Sequence, residues 1–229
     1  MRVYDANTES IVSIVGAYSG LLARGVGMTL VLTLLGFTAG FAIALLLTVT
    51  RYMAPRPARI LAQAYIDLFR GTPMLVQLLF IFFALPSLGV QLSAFQSAAV
   101  ALGLNSGAYQ AEILRVAIKG LPEEELHVAE SLGLTGWQTM RHVVLPQAVR
   151  ASLPGLTNEA VMLLKDSSLA SVIGVMELTR AGEYMVSTSF KALQSLGIVA
   201  LVYLVLSAIF YKAFRAVERR TAIPGFQNL

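Results

Sequence analysis

The sequence predicts an all-α membrane protein of about five transmembrane helices, with its N-terminus outside, its C-terminus inside and a cytoplasmic two-helix loop between spans 3 and 4. Three observations lead there. First, of 229 residues 56% are hydrophobic and only 13% charged, about half the charge that a domain surrounded by water carries. Second, the charges are bunched: no Asp, Glu, Lys, Arg or His occurs from Val26 to Thr50, from Gly71 to Ala111 or from Ala192 to Tyr211. Each run reaches the ~20 mostly apolar residues that a helix needs to cross hydrocarbon. None alternates in polarity as the strands of a transmembrane barrel do. Third, the basic residues gather in alternate loops.

The first span covers roughly 21–50. Ahead of it, "TESIVSIVGAYSG" (8–20) reads either as a short interfacial helix or as a frayed end. The opening "MRVYDANTES" is polar and acidic, unlike a cleavable signal with its basic start and apolar run. Pro and Gly in "PSLG" (86–89) mark a turn that divides the long uncharged run, giving a second span near 59–85 and a third near 93–118. A fourth near 149–173 contains Glu159, Lys165 and Asp166, and a fifth lies near 191–214. Without internal repeats or low-complexity segments, the chain reads as a single transmembrane domain over 1–229.

Cytoplasmic loops hold the excess of Lys and Arg. Arg51, Arg56 and Arg59 follow the first span, Lys119, Arg141 and Arg150 follow the third, and Lys212, Arg215, Arg219 and Arg220 follow the fifth. The opposite loops are poor: 86–93 has no charge, and 174–191 offsets Arg180 and Lys191 with Glu177 and Glu183. Segment 120–146 is therefore cytoplasmic.

That segment carries helix signals. Pro122 suits the first helical position, and Glu123, Glu124 and Glu125 complement the dipole of the first turn. Gly133 can take the left-handed conformation that ends a helix. Thr135 and Gln138 have capping-box spacing for a second short helix, which Pro146 is expected to end. A nucleic-acid reading fails because a recognition helix tethered between two spans is a poor reader of a groove. A folded loop that covers the span ends is one alternative. A docking element presenting Leu126, Val128, Leu132 and Leu134 to a partner's groove is the other.

The pattern E-A-A-x3-G-x9-I-x-L-P marks integral membrane subunits of bacterial ABC importers, and this segment resembles it: Ala129, Gly133, Val143, Leu145 and Pro146 fall on that spacing. His127 and Val128 stand where the family has Glu and Ala. "DLFRGTPMLVQLLF" (67–80), "LNSGAYQAEILRVAIKGLP" (104–122), "GWQTMRHVVLPQAVRASLPGLTNE" (136–159) and "LLKDSSLASVIGVMELT" (163–179) are likewise similar to the polar amino acid permeases. The resemblance implies a multi-pass protein of the bacterial inner membrane. Its expected partners are a second permease subunit, identical or related, a cytoplasmic ABC ATPase dimer carrying ATP and Mg, and an external solute-binding protein. Residues Leu126, Ala129, Leu132, Gly133 and Leu134 would couple to the ATPase. Alternating access would follow, the helices over 122–145 moving with the ATPase.

No catalytic residue and no cofactor is expected on the chain itself. It lacks a G-x-x-x-x-G-K-[ST] phosphate loop and has no cysteine, and His127 and His142 lack metal-site spacing. Polar groups within spans are the candidate substrate pathway, because charge at bilayer depth is expensive and tends to face a cavity or a partner. Glu159 and Asp166 lie two turns apart on one face, and either line the path or accept structural hydrogen bonds. "RGTP" (70–73) interrupts the second span, and interrupted helices point to transport sites. Arg70, Gly71 and Thr72 either receive a carboxylate there or form a kink with an Asp67–Arg70 ion pair, and Gln77 would share that face. On the third span Asn105 is a path candidate, Ser106, Gly107 and Ala108 permit close helix approach, and Glu112 with Arg115 forms an ion pair. A stand-alone secondary transporter or channel for small polar solutes is the alternative, and a membrane enzyme is weaker for want of a catalytic constellation.

Overall fold

The computed structural model describes residues 11–221, and every regular element in that range is helical. Helix α1 (Ile11–Met53) is a single 43-residue helix. Residues 11–20 continue it without a break, so they form no separate interfacial helix, while residues 8–10 lie outside the described range. Helix α4 (Ala94–Lys119) runs alongside it. The contact is built on facing small residues, Gly36 and Gly40 on α1 against Gly103 and Gly107 on α4. A Cβ added to Gly40 would sit 3.0 Å from the backbone nitrogen of Gly107, and one added to Gly107 would come within 2.7 Å of Ile43 Cγ2. Backbones approach this closely only where side chains are absent, as in small-x3-small helix pairs.

The second span is not one helix. α2 (Arg56–Gly71) breaks at Thr72–Pro73 from α3 (Met74–Leu79), and the run Met74–Leu88 that α3 begins is bent from α2 by 108°. α3 passes into a π-turn at Phe80–Ala84 and a 3-10 turn at Leu85–Leu88, and Gly89, at φ 86°, closes the turn where "PSLG" predicts it. α4 then opens on a capping box between Ser93 and Gln96.

Helix α5 (Glu123–Ser131) follows, with Pro122 at its cap rather than inside it. Thr135 and Gln138 make the expected capping box at α6 (Gly136–Thr139). Pro146, however, does not end this helix. A π-turn at Met140–Val144 widens the backbone just ahead of the ring, and α7 (Leu145–Ala151) carries on to α8 (Leu153–Asp166) with a break only at Ser152. In the π-turn Leu145 N–H reaches back five residues to Met140 O, so the ladder is re-registered before proline removes a donor. A 3-10 segment (Ser167–Ile173) completes the predicted fourth span, which is thus in pieces. Gly174 (φ 87°) leads to α9 (Leu178–Ser189), then α10 (Ala192–Thr221).

Among the described residues, two helices are long and apolar enough to cross a membrane, or three if the bent pair counts as one. Length and composition therefore stop short of five spans. α4 is long enough at 26 residues but is rich in small and polar side chains, and α8 is short at 14. Both sit among other helices, so they need little lipid-facing apolar surface. The principal core joins Leu32, Leu78, Leu102, Leu163 and Ala170 from α1, α3, α4, α8 and the 3-10 segment.

Candidate functional site

The bend at Thr72–Pro73 is a polar joint whose bonds follow from proline chemistry. Pro73 has no N–H, so the carbonyl four residues earlier, Phe69 O, loses its helical partner. The Gln77 side-chain amide donates to Phe69 O at 2.9 Å, and also lies within reach of Thr72 O at 3.0 Å and Thr72 Oγ1 at 2.8 Å. Thr72 Oγ1 donates in turn to Leu68 O at 2.8 Å. From α4, Asn105 Nδ2 donates to Gln77 Oε1 at 2.9 Å and to Phe69 O at 3.3 Å. Gln77 and Asn105 are both buried, so their amides hold the joint together and pin it to α4.

One residue further along α4, Ser106 Oγ donates to Glu159 Oε1 on α8 at 2.6 Å and accepts from Gln110 Nε2 at 2.8 Å. Gln110 is fully buried and also donates to Phe37 O on α1 at 3.1 Å. Asp166 closes α8 two turns beyond Glu159, half-buried, while Lys165 is exposed on another side of the helix. The two carboxylates thus share a face as the spacing predicts, and Glu159 is tied to α4 by a hydroxyl.

A cavity of about 530 Å³ opens between α4 and the α7–α8 break, lined by Arg70, Tyr109, Glu112, Gly120, Ser152 and Gly155 among others. Glu112 holds three arginines from three helices. Arg115 Nε donates to it at 2.9 Å, Arg51 Nη1 at 3.4 Å, and Arg70 Nη1 stands 3.7 Å away. The Arg70 guanidinium also lies over the Tyr109 ring at 5.6 Å. The Glu112–Arg115 pair is the one the spacing predicts. Arg70 pairs with Glu112 rather than with Asp67, which accepts from Gln63 Nε2 at 2.7 Å instead. The pathway candidates therefore fall into three groups: Arg70 at the cavity, Thr72, Gln77 and Asn105 in the joint with Gly71 exposed beside it, and Glu159 and Asp166 along α8.

In the loop that joins α4 to α7, Gly133 sits at φ 74°. Its N–H bonds Glu130 O at 2.9 Å, and Leu134 N–H bonds Ala129 O at 3.1 Å, a Schellman-type close that needs the left-handed residue. Leu132 and Val128 are exposed at 75% and 58%, and Trp137 on α6 at 49%, so this loop leaves large apolar side chains uncovered. Leu126 and Leu134 border a cleft against Tyr52 and Met53 at the end of α1. Ala129 is buried and presents nothing outward, and α5 packs against α6 and the π-turn that follows it. His127 and His142 lie near Glu130 and Gln138 O respectively, and among the described residues no group of three His, Cys, Asp or Glu side chains could hold a metal.

Sequence reasoning missed Glu177. It reads as a loop charge, yet it is fully buried, caps α9 through the backbone N–H groups of Thr179 (2.8 Å) and Arg180 (2.7 Å), and accepts from Tyr203 on α10 at 2.8 Å. The local signal was a Glu followed by "LTR" at a helix start; the Tyr203 bond is non-local and leaves no trace in spacing.

Interrupted helices that enclose buried polar groups and a cavity are the mark of membrane transport proteins, and that is the class this fold defines. More particularly, residues 36–223 match the model of the family described as binding-protein-dependent transport system inner membrane component, and the chain belongs to that family. It is 40% identical over 205 residues to the glutamine transport system permease protein GlnP of Escherichia coli (strain K12), covering 89% of this chain and 94% of the relative. It is 36% identical over 201 residues to the L-cystine transport system permease protein TcyB of Bacillus subtilis (strain 168), covering 87% and 86%. A chain of the crystal structure of an amino acid ABC transporter with histidines superposes with a TM-score of 0.85 at 38% identity, covering 93% of this chain and 99% of that one. An inward-facing MetNI methionine ABC transporter shares the fold, with a TM-score of 0.76 at 24% identity.

Proposed function

We propose that this chain is the membrane-spanning subunit of an ATP-driven importer for polar amino acids, crossing the inner membrane five times with its N-terminus outside. The observation that carries the reading is its similarity, over nearly the whole chain, to permeases named for glutamine and cystine. The solute path runs past the Thr72–Pro73 joint and the α8 carboxylates. Glu159 and Asp166 favour the ammonium end of an amino acid, and Arg70, at the cavity, favours its carboxylate. Gln77 and Asn105 keep the joint in shape, because interrupted backbone at bilayer depth requires every freed group to be satisfied.

Energy comes from a separate ABC ATPase dimer, which binds ATP and Mg. Gly133 fixes the turn that presents Leu132, with Val128 and Trp137 beside it, to a groove on that ATPase. Movement of α5 and α6 reaches the cavity wall through the continuous α6–α7 segment and its break at Ser152. A second permease subunit and an external solute-binding protein complete the assembly. Co-purification of the chain with its ATPase, followed by ATP hydrolysis assays with the binding protein and a panel of amino acids, tests this. Stimulation by polar amino acids supports the reading; a chain that purifies alone, with hydrolysis indifferent to every amino acid, overturns it.

A further inference from the structure

α2 has three faces. Ala58, Ala62, Tyr65, Ile66 and Phe69 turn toward the bundle, where Ile66 shares a core with Ala44, Ala111 and Leu114. Pro57, Ile60, Leu61, Ala64 and Leu68 form a second, exposed apolar face, with Leu61 71% accessible. The third face carries Arg56, Arg59, Gln63, Asp67 and Arg70 at spacings of three, four, four and three, which keep them in one line on a helix.

This line does not lie on the membrane surface. α2 starts beside the end of α1, where Arg59 Nε donates to Ala54 O at 2.7 Å. It finishes at the middle of α4, where Asn105 reaches Phe69 O. From Arg56 to Arg70 the rise along the helix is about 21 Å at ~1.5 Å per residue, enough to run from the end of α1 to the middle of a hydrocarbon layer ~30 Å thick. Polar side chains along such a depth are costly in lipid and face water or protein instead. Arg70, the inner end of the line, already lines the cavity.

We infer that this polar face of α2 is one wall of the aqueous route by which solute leaves the cavity for the cytoplasm. Arg56 and Arg59, with Arg70 beside Glu112 at the inner end, outweigh the one aspartate of the face and make it attractive to a carboxylate, the group every amino acid carries, and Gln63, held by Asp67, supplies a neutral hydrogen-bonding rung between the charges. The adjoining apolar face stays in lipid. The inference rests on the transport reading above, but its geometry can be tested without it.

The chain contains no cysteine, so single-cysteine variants need no prior substitutions. In the assembled importer, in membranes opened to both sides, Gln63→Cys and Asp67→Cys should react with a charged thiosulfonate at least about tenfold faster than Leu61→Cys, because a charged reagent does not enter hydrocarbon. Ile66→Cys is the buried control. After labelling and reconstitution into sealed vesicles, modified Gln63→Cys should lose ATP-driven uptake while modified Leu61→Cys keeps it. Equal or slower labelling on the polar face, or protection of both faces by a covering protein, overturns the inference. Fast labelling at Gln63 that leaves uptake intact also overturns it, since the face would be wet but not the exit. If the unmodified complex shows no ATP-driven uptake and the labelling contrast persists, the transport reading fails while the geometry of the wall stands.

Discussion

Replacing Gln77 by leucine should expose how the broken helix is held. Leucine keeps the volume close but removes the amide that serves Phe69 O, Thr72 O and Thr72 Oγ1 and that accepts from Asn105. Phe69 O keeps its longer bond from Asn105 at 3.3 Å, and Thr72 Oγ1 still donates to Leu68 O. The groups left without their amide partner are Thr72 O and one N–H of Asn105. At ~1–3 kcal/mol per orphaned buried group the loss is about 2–6 kcal/mol. Taking instead ~0.6 kcal/mol for each interhelical hydrogen bond measured in membrane bundles gives about 2 kcal/mol. Both point to a loss of a few kcal/mol, or a fall of roughly 5–10 °C in the unfolding midpoint for a chain of this size. The assay is thermal unfolding of the detergent-solubilised complex, run as a double-mutant cycle with Asn105→Leu. Coupling of about 1 kcal/mol or more is expected, since the two amides contact one another. Strict additivity, or a midpoint unchanged by Gln77→Leu, would refute the idea that these amides replace the donor that Pro73 lacks.

Three further outcomes follow from the same geometry. Gly107→Leu should cost about 1–3 kcal/mol and lower the amount of assembled complex, because the side chain enters the space of Ile43; Gly27→Leu, which meets open space, is the control, and blue-native gels read the difference. Gly133→Val should leave the chain in the membrane yet reduce solute-stimulated ATP hydrolysis, since a side chain at φ 74° carries a strain of ~1–2 kcal/mol that the turn can relieve only by changing shape. Glu177→Leu should destabilise by about 2–4 kcal/mol through loss of the α9 cap and of the Tyr203 bond, and Tyr203→Phe by about 1 kcal/mol, both by thermal unfolding.

Local chemistry was legible in the sequence. The "PSLG" turn, the Thr135–Gln138 capping box, the left-handed Gly133 and the interruption at "RGTP" each depend on residues within a few positions of one another, and each is found in place. Pro146 was misleading for a local reason too: proline ends a helix only when nothing upstream has shifted the ladder, and here a π-turn has. What spacing cannot carry is the choice among partners. Arg70 has Asp67 three residues away, yet lies beside Glu112 on α4, where Tyr109 supports it. Gln77, one turn beyond Pro73, reads as sharing the face of the interruption, and that spacing does not reveal its partners, carbonyls at the joint and an amide 28 residues away. Glu177 is hidden by the same limit, its third bond coming from α10. The number of spans was harder still, since α4 reaches crossing length with a composition that its neighbours, rather than lipid, make tolerable.

Energy coupling is the central claim, and uptake by the whole complex in liposomes tests it most directly: the permease with its ATPase, the binding protein on the outer side, ATP on the inner side, and radiolabelled glutamine and cystine among the solutes. Accumulation of a polar amino acid above its external concentration, dependent on both ATP and the binding protein, is the predicted result. Accumulation or equilibration of the solute by the chain alone, without ATP and with or without an ion gradient, would contradict it.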